Sequence, residues 1–222
     1  MNLSICFLGT GYIVRKHVKI LKKLFPFLKL SVASRDAARA KSFQKEFDLY
    51  SSFPTYHEAI ESDVDIIVVA TPPKQHFEWV KKALDCNKNI LIEKPVFCSL
   101  QEFDVLKSQM ENSKQVIMVA ENQSFDPFHQ KIKNILKNSD LGRPVYLEIN
   151  RFGVNKLQAW RKLNSEMPLG ALHEGGVHYI RRLREIASLY ESSSDFALRS
   201  LKSFSLMPDP ETSFEESMLV MA

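Results

Sequence analysis

The opening of the chain constrains its fold more than any other stretch. Leu3-Ser4-Ile5-Cys6-Phe7-Leu8 is a short apolar run of the kind that forms a buried parallel strand. It runs directly into Gly9-Thr10-Gly11-Tyr12-Ile13-Val14. Beyond that turn Val14, Val18, Leu21 and Leu24 recur at helical spacing, with Arg15, Lys16, Lys19, Lys22 and Lys23 mostly on the other side. Strand, glycine turn and helix in immediate succession are the context of a dinucleotide-binding turn. Gly9 allows the tight turn, Gly11 lets backbone approach a pyrophosphate, and the helix N-terminus faces the phosphates. The third glycine of that fingerprint is replaced by Val14, whose larger side chain is expected to push the helix outward.

The β–α alternation of a doubly wound sheet continues through the first half. Strands are expected at 28–35, 65–70, 89–93 and 115–120. Helices are expected at 36–47 and 76–84, from the capping-box sequence Ser99-Leu100-Gln101-Glu102 to about Met110, and from Asp126-Pro127 onward. Ligands of such sheets bind beyond the carboxyl ends of the strands. Five segments fall there: residues 9–14, Ser34-Arg35, Thr71-Pro72, Glu93-Lys94-Pro95 and Glu121-Asn122. Residues 1–122 are therefore expected to form a Rossmann domain that binds a nicotinamide dinucleotide.

The end of the second strand bears on which dinucleotide. Ser34 stands 20 residues after Val14, near where NAD-selective folds place an acidic residue on the ribose 2′-hydroxyl. Here a hydroxyl is followed by the guanidinium of Arg35, with Arg39 one turn further on. An arginine can pair with a 2′-phosphate, which a carboxylate would repel. NADP is therefore expected over NAD. Asp36, just past the strand end, keeps NAD as the alternative.

After Pro144 the organisation changes. Residues 145–152 alternate apolar and polar, a helix is expected around 171–190, and strands at 196–204 and 217–221. Residues 123–222 thus read as an α+β domain with an open, mostly antiparallel sheet, incomplete because the chain stops within what reads as a strand. Lys94 sits at the mouth of an apolar strand beside a ring-locked proline, a costly position that suggests chemistry. Glu174 and His178 are four apart, so a helix would put them on one face. A carboxylate beside an imidazole fixes its tautomer and favours imidazolium after proton uptake.

Composition excludes other classes. The formal charge is only +4, and no dense Lys/Arg cluster is interleaved with aromatics, which argues against nucleic acid. Cys6, Cys86 and Cys98 lack metal-ligand spacing, so no metal is expected. No apolar run approaches membrane length and Met1 leads directly into a strand, so a cytoplasmic protein with reduced thiols is expected.

Taken in order, the motifs resemble those of the Gfo/Idh/MocA oxidoreductases, named for glucose-fructose oxidoreductase, inositol dehydrogenase and a rhizopine-catabolism protein. They are the glycine turn ending at His17, Ser-Arg-Asp at 34–36, Ala-Thr-Pro-Pro-x-x-His ending at His76, and Glu-Lys-Pro at 93–95. Glu-Asn at 121–122, Leu-Gly-x-Pro-Val at 141–145, Trp160-Arg161 and the segment 170–178 follow. The resemblance implies Lys94, Glu174 and His178 as the catalytic group: Lys94 on the substrate hydroxyl, His178 as general acid/base, and Glu174 where the family has aspartate. It implies a cis Lys94–Pro95 bond. It places Gly9, Thr10, Gly11, Tyr12, Ile13, Ser34, Arg35, Arg39, Thr71, Pro72, His76, Glu93, Asn122, Trp160 and Arg161 at the cofactor, and the catalytic group in one cleft. Arg181 stands where the family often has aspartate, and Val177 where it often has proline.

The expected function is an NAD(P)-dependent oxidoreductase moving hydride between nicotinamide and a hydroxyl or keto carbon of a sugar or polyol. Family members continue past the point where this chain stops, which suggests truncation. A full-length form would be a homo-oligomer through the second-domain sheet. The competing expectation is a non-catalytic NAD(P)-binding sensor or interaction protein, inactive through truncation.

Overall fold

A computed structural model of the protein describes residues 3–138, 140–142, 148–149, 175–190, 202–206 and 217–221. The chain divides into two compact units, Met1–Ala120 and Glu121–Ala222.

The first unit is a parallel sheet of six strands: β1 (Ser4–Leu8), β2 (Lys29–Ala33), β3 (Ser51–Phe53), β4 (Ile66–Val69), β5 (Asn89–Ile92) and β6 (Ile117–Val119). Their order is β3-β2-β1-β4-β5-β6, so the direction of winding reverses between β1 and β4. That reversal opens a crevice at the carboxyl ends of the strands, the place where doubly wound sheets bind ligands. The connecting helices are α1 (Tyr12–Leu24), α2 (Ala37–Phe47), α3 (Tyr56–Glu61), α4 (His76–Asp85) and α5 (Leu100–Glu111).

Two apolar layers hold this unit together because successive strand side chains point to opposite faces. Ile5 and Phe7 of β1 join Val14 and Val18 of α1 and Phe43 of α2. Cys6 and Leu8 join residues of α3, α4 and α5, among them Ile60, Trp79, Val80 and Leu106. The helices before and after the winding reversal therefore cover different faces. Each large apolar side chain taken fully from water stabilises by about 1.5–3 kcal/mol. Val14 is completely buried, so it fills the helix–strand contact that a third glycine would leave open.

Short elements escape the sequence pattern. β3 has three residues, Ser51-Ser52-Phe53, and α3 has six, too few to show a period. Local chemistry forms α3 instead. Thr55 Oγ1 accepts from the Glu58 N–H at 3.2 Å and donates to the Glu58 carboxylate at 2.9 Å. The expected capping box at Ser99 forms similarly. Ser99 Oγ accepts from the Glu102 N–H at 3.2 Å, while the Glu102 carboxylate accepts from the Cys98 N–H at 2.8 Å.

In the second unit the described elements are α6 (Pro127–Asn138), α7 (Val177–Ala187), and the antiparallel pair β7 (Lys202–Leu206) and β8 (Ser217–Met221). Glu185 of α7 ties that helix to the α6 region. It accepts from His129 Nε2 at 2.9 Å, Lys133 Nζ at 3.3 Å and Ser124 Oγ at 3.1 Å, besides Arg181 on its own helix at 2.7 Å. Arg182 donates to Asp126 at 2.8 Å, and the Tyr190 hydroxyl donates to the Leu136 carbonyl at 3.0 Å. Of the strand expected at 145–152, all but residues 148 and 149 lie outside the described residues, as does the first part of the strand expected at 196–204.

Candidate active site

The glycine turn after β1 is shaped by close backbone approach on one side and open space on the other. Gly9 has φ +119°, and a Cβ there would stand 2.9 Å from the Ala70 carbonyl oxygen. Only glycine meets both conditions without strain. At Gly11 a Cβ would meet nothing within 4 Å, and this residue is the N-cap of α1. Among the described residues no side chain caps α1, and its first turn holds no acidic residue. The helix therefore presents N–H groups and the positive end of its dipole toward open space. Thr10 and Ile13 are partly buried, whereas Tyr12 is exposed, with Lys16 Nζ 4.6 Å over its ring. The end of β4 contributes Thr71, whose Oγ1 is buried and has no hydrogen-bond partner among the described residues. Pro72 follows it as the first residue of a tight turn. An uncapped helix start behind glycine and an orphaned buried hydroxyl at the same strand edge fit a dinucleotide, which would satisfy both.

The end of β2 holds the residues expected to choose between dinucleotides. Ser34 is buried, and its hydroxyl accepts from the Asp36 N–H at 3.2 Å. Asp36 caps α2, accepting from the Arg39 N–H at 3.1 Å. That bond commits one carboxylate oxygen to the helix. Arg35 is engaged by Tyr56, the first residue of α3. Burial pushes the Tyr56 hydroxyl pKa up, opposed by the Arg35 charge, by hydrogen bonds from its backbone and guanidinium, and by the Arg39 charge. Beside this loop lies an open cleft of about 490 Å³ lined by Thr10, Arg15, Asp36 and Arg39, among others. Arg15 is paired with Glu46 and stacked 5.1 Å over Phe43, leaving Arg39 as the cleft's other cation.

Lys94 follows β5, three strands along the sheet from β2. The Glu93 N–H donates to the Val69 carbonyl at 2.9 Å, which carries the parallel pairing of β4 and β5 to the edge of the motif. The Lys94–Pro95 peptide is cis, as expected. Glu93 is not directed to solvent: its Oε1 lies 2.9 Å from His17 Nε2 of α1. His76 departs from the expected cofactor contact. The residue is 1% exposed, with Nε2 2.8 Å from the Thr71 carbonyl and Nδ1 2.9 Å and 3.1 Å from the Pro95 and Val96 carbonyls. Burial pushes its pKa down, against the pull of those carbonyls and of the Glu93 charge. A ring enclosed in this way acts on the loop backbone and leaves no nitrogen for a ligand.

In the second unit His178 lies in the first turn of α7, preceded by a wide helical turn at Gly175 and Gly176. Its Nδ1 stands 2.6 Å and 2.7 Å from the two carboxylate oxygens of Glu121, with both side chains largely buried. Glu121 is a candidate site residue that sequence reasoning missed. A carboxylate at the end of a strand was visible, but only its neighbour Asn122 was assigned. Asn122 is exposed at the start of the turn Asn122–Phe125. Glu174, the carboxylate expected beside His178, lies outside the described residues, as do Trp160 and Arg161. Nδ1 bonded to a carboxylate fixes the tautomer and leaves Nε2 as the nitrogen for proton exchange.

Comparison with known proteins settles the lineage of this arrangement. Residues 3–121 match the profile of Gfo/Idh/MocA, described as an oxidoreductase family with an NAD-binding Rossmann fold. The chain belongs to the Gfo/Idh/MocA oxidoreductase family. Among curated members, glucose-6-phosphate 3-dehydrogenase of Bacillus subtilis (strain 168) is 28% identical over 200 residues, covering 88% of this chain and 55% of that protein. The scyllo-inositol 2-dehydrogenase (NAD(+)) of the same organism is 26% identical over 141 residues, covering 63% and 41%. A solved structure, GenD2 from gentamicin A biosynthesis in complex with NAD, superposes with a TM-score of 0.82 at 19% identity, covering 99% of this chain and 61% of that one. The chain spans about half the length of the curated relatives it matches. The Gfo/Idh/MocA match takes in the glycine turn, the Ser34–Asp36 loop, Thr71, Lys94 and Glu121, and ends before His178.

Proposed function

We propose that this protein is a nicotinamide-dependent oxidoreductase of a sugar or polyol hydroxyl, preferring NADP(H). The observation that carries the reading is that Lys94 stands one residue beyond Glu93, which is bonded to α1, the helix whose uncapped N-terminus faces open space beyond Gly11. Lysine and phosphate cradle are thereby joined on one edge of one sheet. Names of relatives point the same way: one acts on glucose 6-phosphate and another on scyllo-inositol.

When bound, the nicotinamide supplies a hydride acceptor at C4. The chain supplies the proton chemistry. The N–H groups of α1 would hold the pyrophosphate. The Lys94 ammonium donates to the substrate oxygen and stabilises negative charge developing there. His178 Nε2 would take the hydroxyl proton, with Glu121 on Nδ1 holding the ring and its tautomer. Oxidation of the carbinol to the carbonyl would leave the hydroxyl proton on His178, and reduction would return it to the substrate oxygen.

The preference for NADP rests on Arg35 and Arg39 beside a loop in which Asp36 already caps α2. Some relatives are named with NAD, so the test compares the two cofactors directly. Titration by nucleotide fluorescence should show NADPH binding more tightly than NADH. Arg35→Asp should weaken NADPH alone, by about 1–3 kcal/mol. Equal or tighter NADH binding would overturn the preference, and binding of neither would overturn the function.

A further inference from the structure

Two histidines that this chemistry does not use hold the segment carrying Lys94. His17 belongs to α1, with its ring 6.1 Å from that of Phe7 in a stacked arrangement. Its Nε2 is 2.9 Å from Glu93 Oε1, and the other oxygen of that carboxylate accepts from the Lys94 backbone N–H at 3.3 Å. His76 opens α4 and reaches the far side of the same segment, within 2.9 Å of the Pro95 carbonyl and 3.1 Å of the Val96 carbonyl. Its second nitrogen is 2.8 Å from the Thr71 carbonyl. α1 packs in the Phe7 layer and α4 in the Cys6 layer, so the two imidazoles come from opposite faces of the sheet.

We propose that His17 and His76 are positioning residues for Lys94: together they clamp residues 93–96 and so fix where the lysine side chain begins. Lysine is flexible, with four rotatable bonds between Cα and its ammonium. Its head can be placed repeatably only if its backbone is held. The distribution of contacts separates this role from ordinary packing. Each of the ring-nitrogen contacts falls on the segment around Lys94 or on Thr71, beside an orphaned buried hydroxyl. None closes a helix or a strand ladder. The clamp also makes the lysine's position depend on α1, whose N-terminus is the phosphate cradle. Displacements near 1 Å at a reacting group can cost about 10²-fold in rate, so a segment gripped from two faces has a direct catalytic consequence.

That Lys94 meets substrate rests on the function proposed above; that its backbone is clamped does not, and the experiment separates the two. The full chain is compared with His17→Ala, His17→Gln and His76→Phe by amide hydrogen exchange of peptides covering residues 93–98, by the rate of Lys94 acylation read by mass spectrometry, and by NADPH titration. Loss of one bond should speed exchange in that segment by about fivefold in His17→Ala. Lys94 acylation should change with it, while NADPH affinity and exchange elsewhere stay within about twofold. His17→Gln, which keeps a donor toward Glu93, should restore both readouts. With an active substrate, kcat should fall by about 10–10²-fold with little change in KM. If His76→Phe does not fold, His17→Ala decides alone. Wild-type exchange in 93–98 and wild-type Lys94 reactivity in His17→Ala would overturn the clamp. A wild-type chain that binds no nucleotide would instead overturn the proposed function and leave the exchange result standing.

Discussion

A histidine exchanges protons only through the nitrogen its neighbours leave available, and at His178 the Glu121 carboxylate occupies Nδ1. Both carboxylate oxygens lie within 2.7 Å of Nδ1. Glu121→Gln keeps the size of the partner but removes its charge, and its amide can turn an NH₂ toward the ring and stabilise the wrong tautomer. Turnover should fall by about 10²-fold or more while NADPH affinity is retained, as measured by steady-state kinetics beside a nucleotide titration. Undiminished kcat in Glu121→Gln would remove Glu121 from the chemistry. Single residues were the least legible part of the sequence. Lys94 and His178 stood out because a lysine ending an apolar strand and a histidine behind two glycines are unusual locally. Their supports did not: His17 meets Glu93 76 residues away, and Glu121 meets His178 57 residues away. Such pairings depend on strand order and helix placement, which no local pattern encodes. His76 misled for a related reason, since its motif lies at the cofactor edge while its ring turns inward to backbone carbonyls.

Elements were more legible where a run was long enough to show a period or a cap. Strands β1, β2, β4, β5 and β6 and helices α1, α2, α4, α5 and α6 follow from apolar runs, helical spacing and caps such as Asp36 and Ser99. β3 and α3 did not, because Ser51-Ser52-Phe53 belongs to no apolar run and six residues carry no helical period. That gap hid Tyr56 of α3, the residue that engages Arg35. The α6–α7 pairing gives a pH prediction. Burial raises the Glu185 pKa, but hydrogen bonds from Arg181, His129, Lys133 and Ser124 outweigh it and bring the carboxyl down to about 2. A carboxyl whose folded pKa lies below its unfolded value of about 4.3 stabilises fully above that value, and the contribution is lost as pH falls toward 2. Urea melts followed by circular dichroism should therefore show stability dropping through this window, with a shallower drop in Glu185→Gln. Identical pH profiles for the two proteins would exclude Glu185 as the source.

At the scale of the whole molecule, the sheet order explains why residues scattered along the first 120 positions serve one edge. Parallel pairing from β3 to β6 brings every strand's carboxyl end to the same side, and the reversal between β1 and β4 opens that side beside Gly9 and Thr71. No helix among the described residues is long and apolar enough to cross a membrane. Within the second unit His178 sits on Glu121. The most direct test is turnover by the intact chain. Supplied with NADP⁺ and a panel of sugars and polyols, it should produce reduced nicotinamide with at least one of them, followed by its near-ultraviolet absorbance. His178→Ala should bind NADPH normally yet lose about 10²–10⁴-fold in rate with that substrate. Equal rates for the wild type and His178→Ala would contradict the mechanism, and nucleotide binding with no turnover of any substrate, with either NADP⁺ or NAD⁺, would contradict the assignment of this chain as an oxidoreductase acting on such hydroxyls.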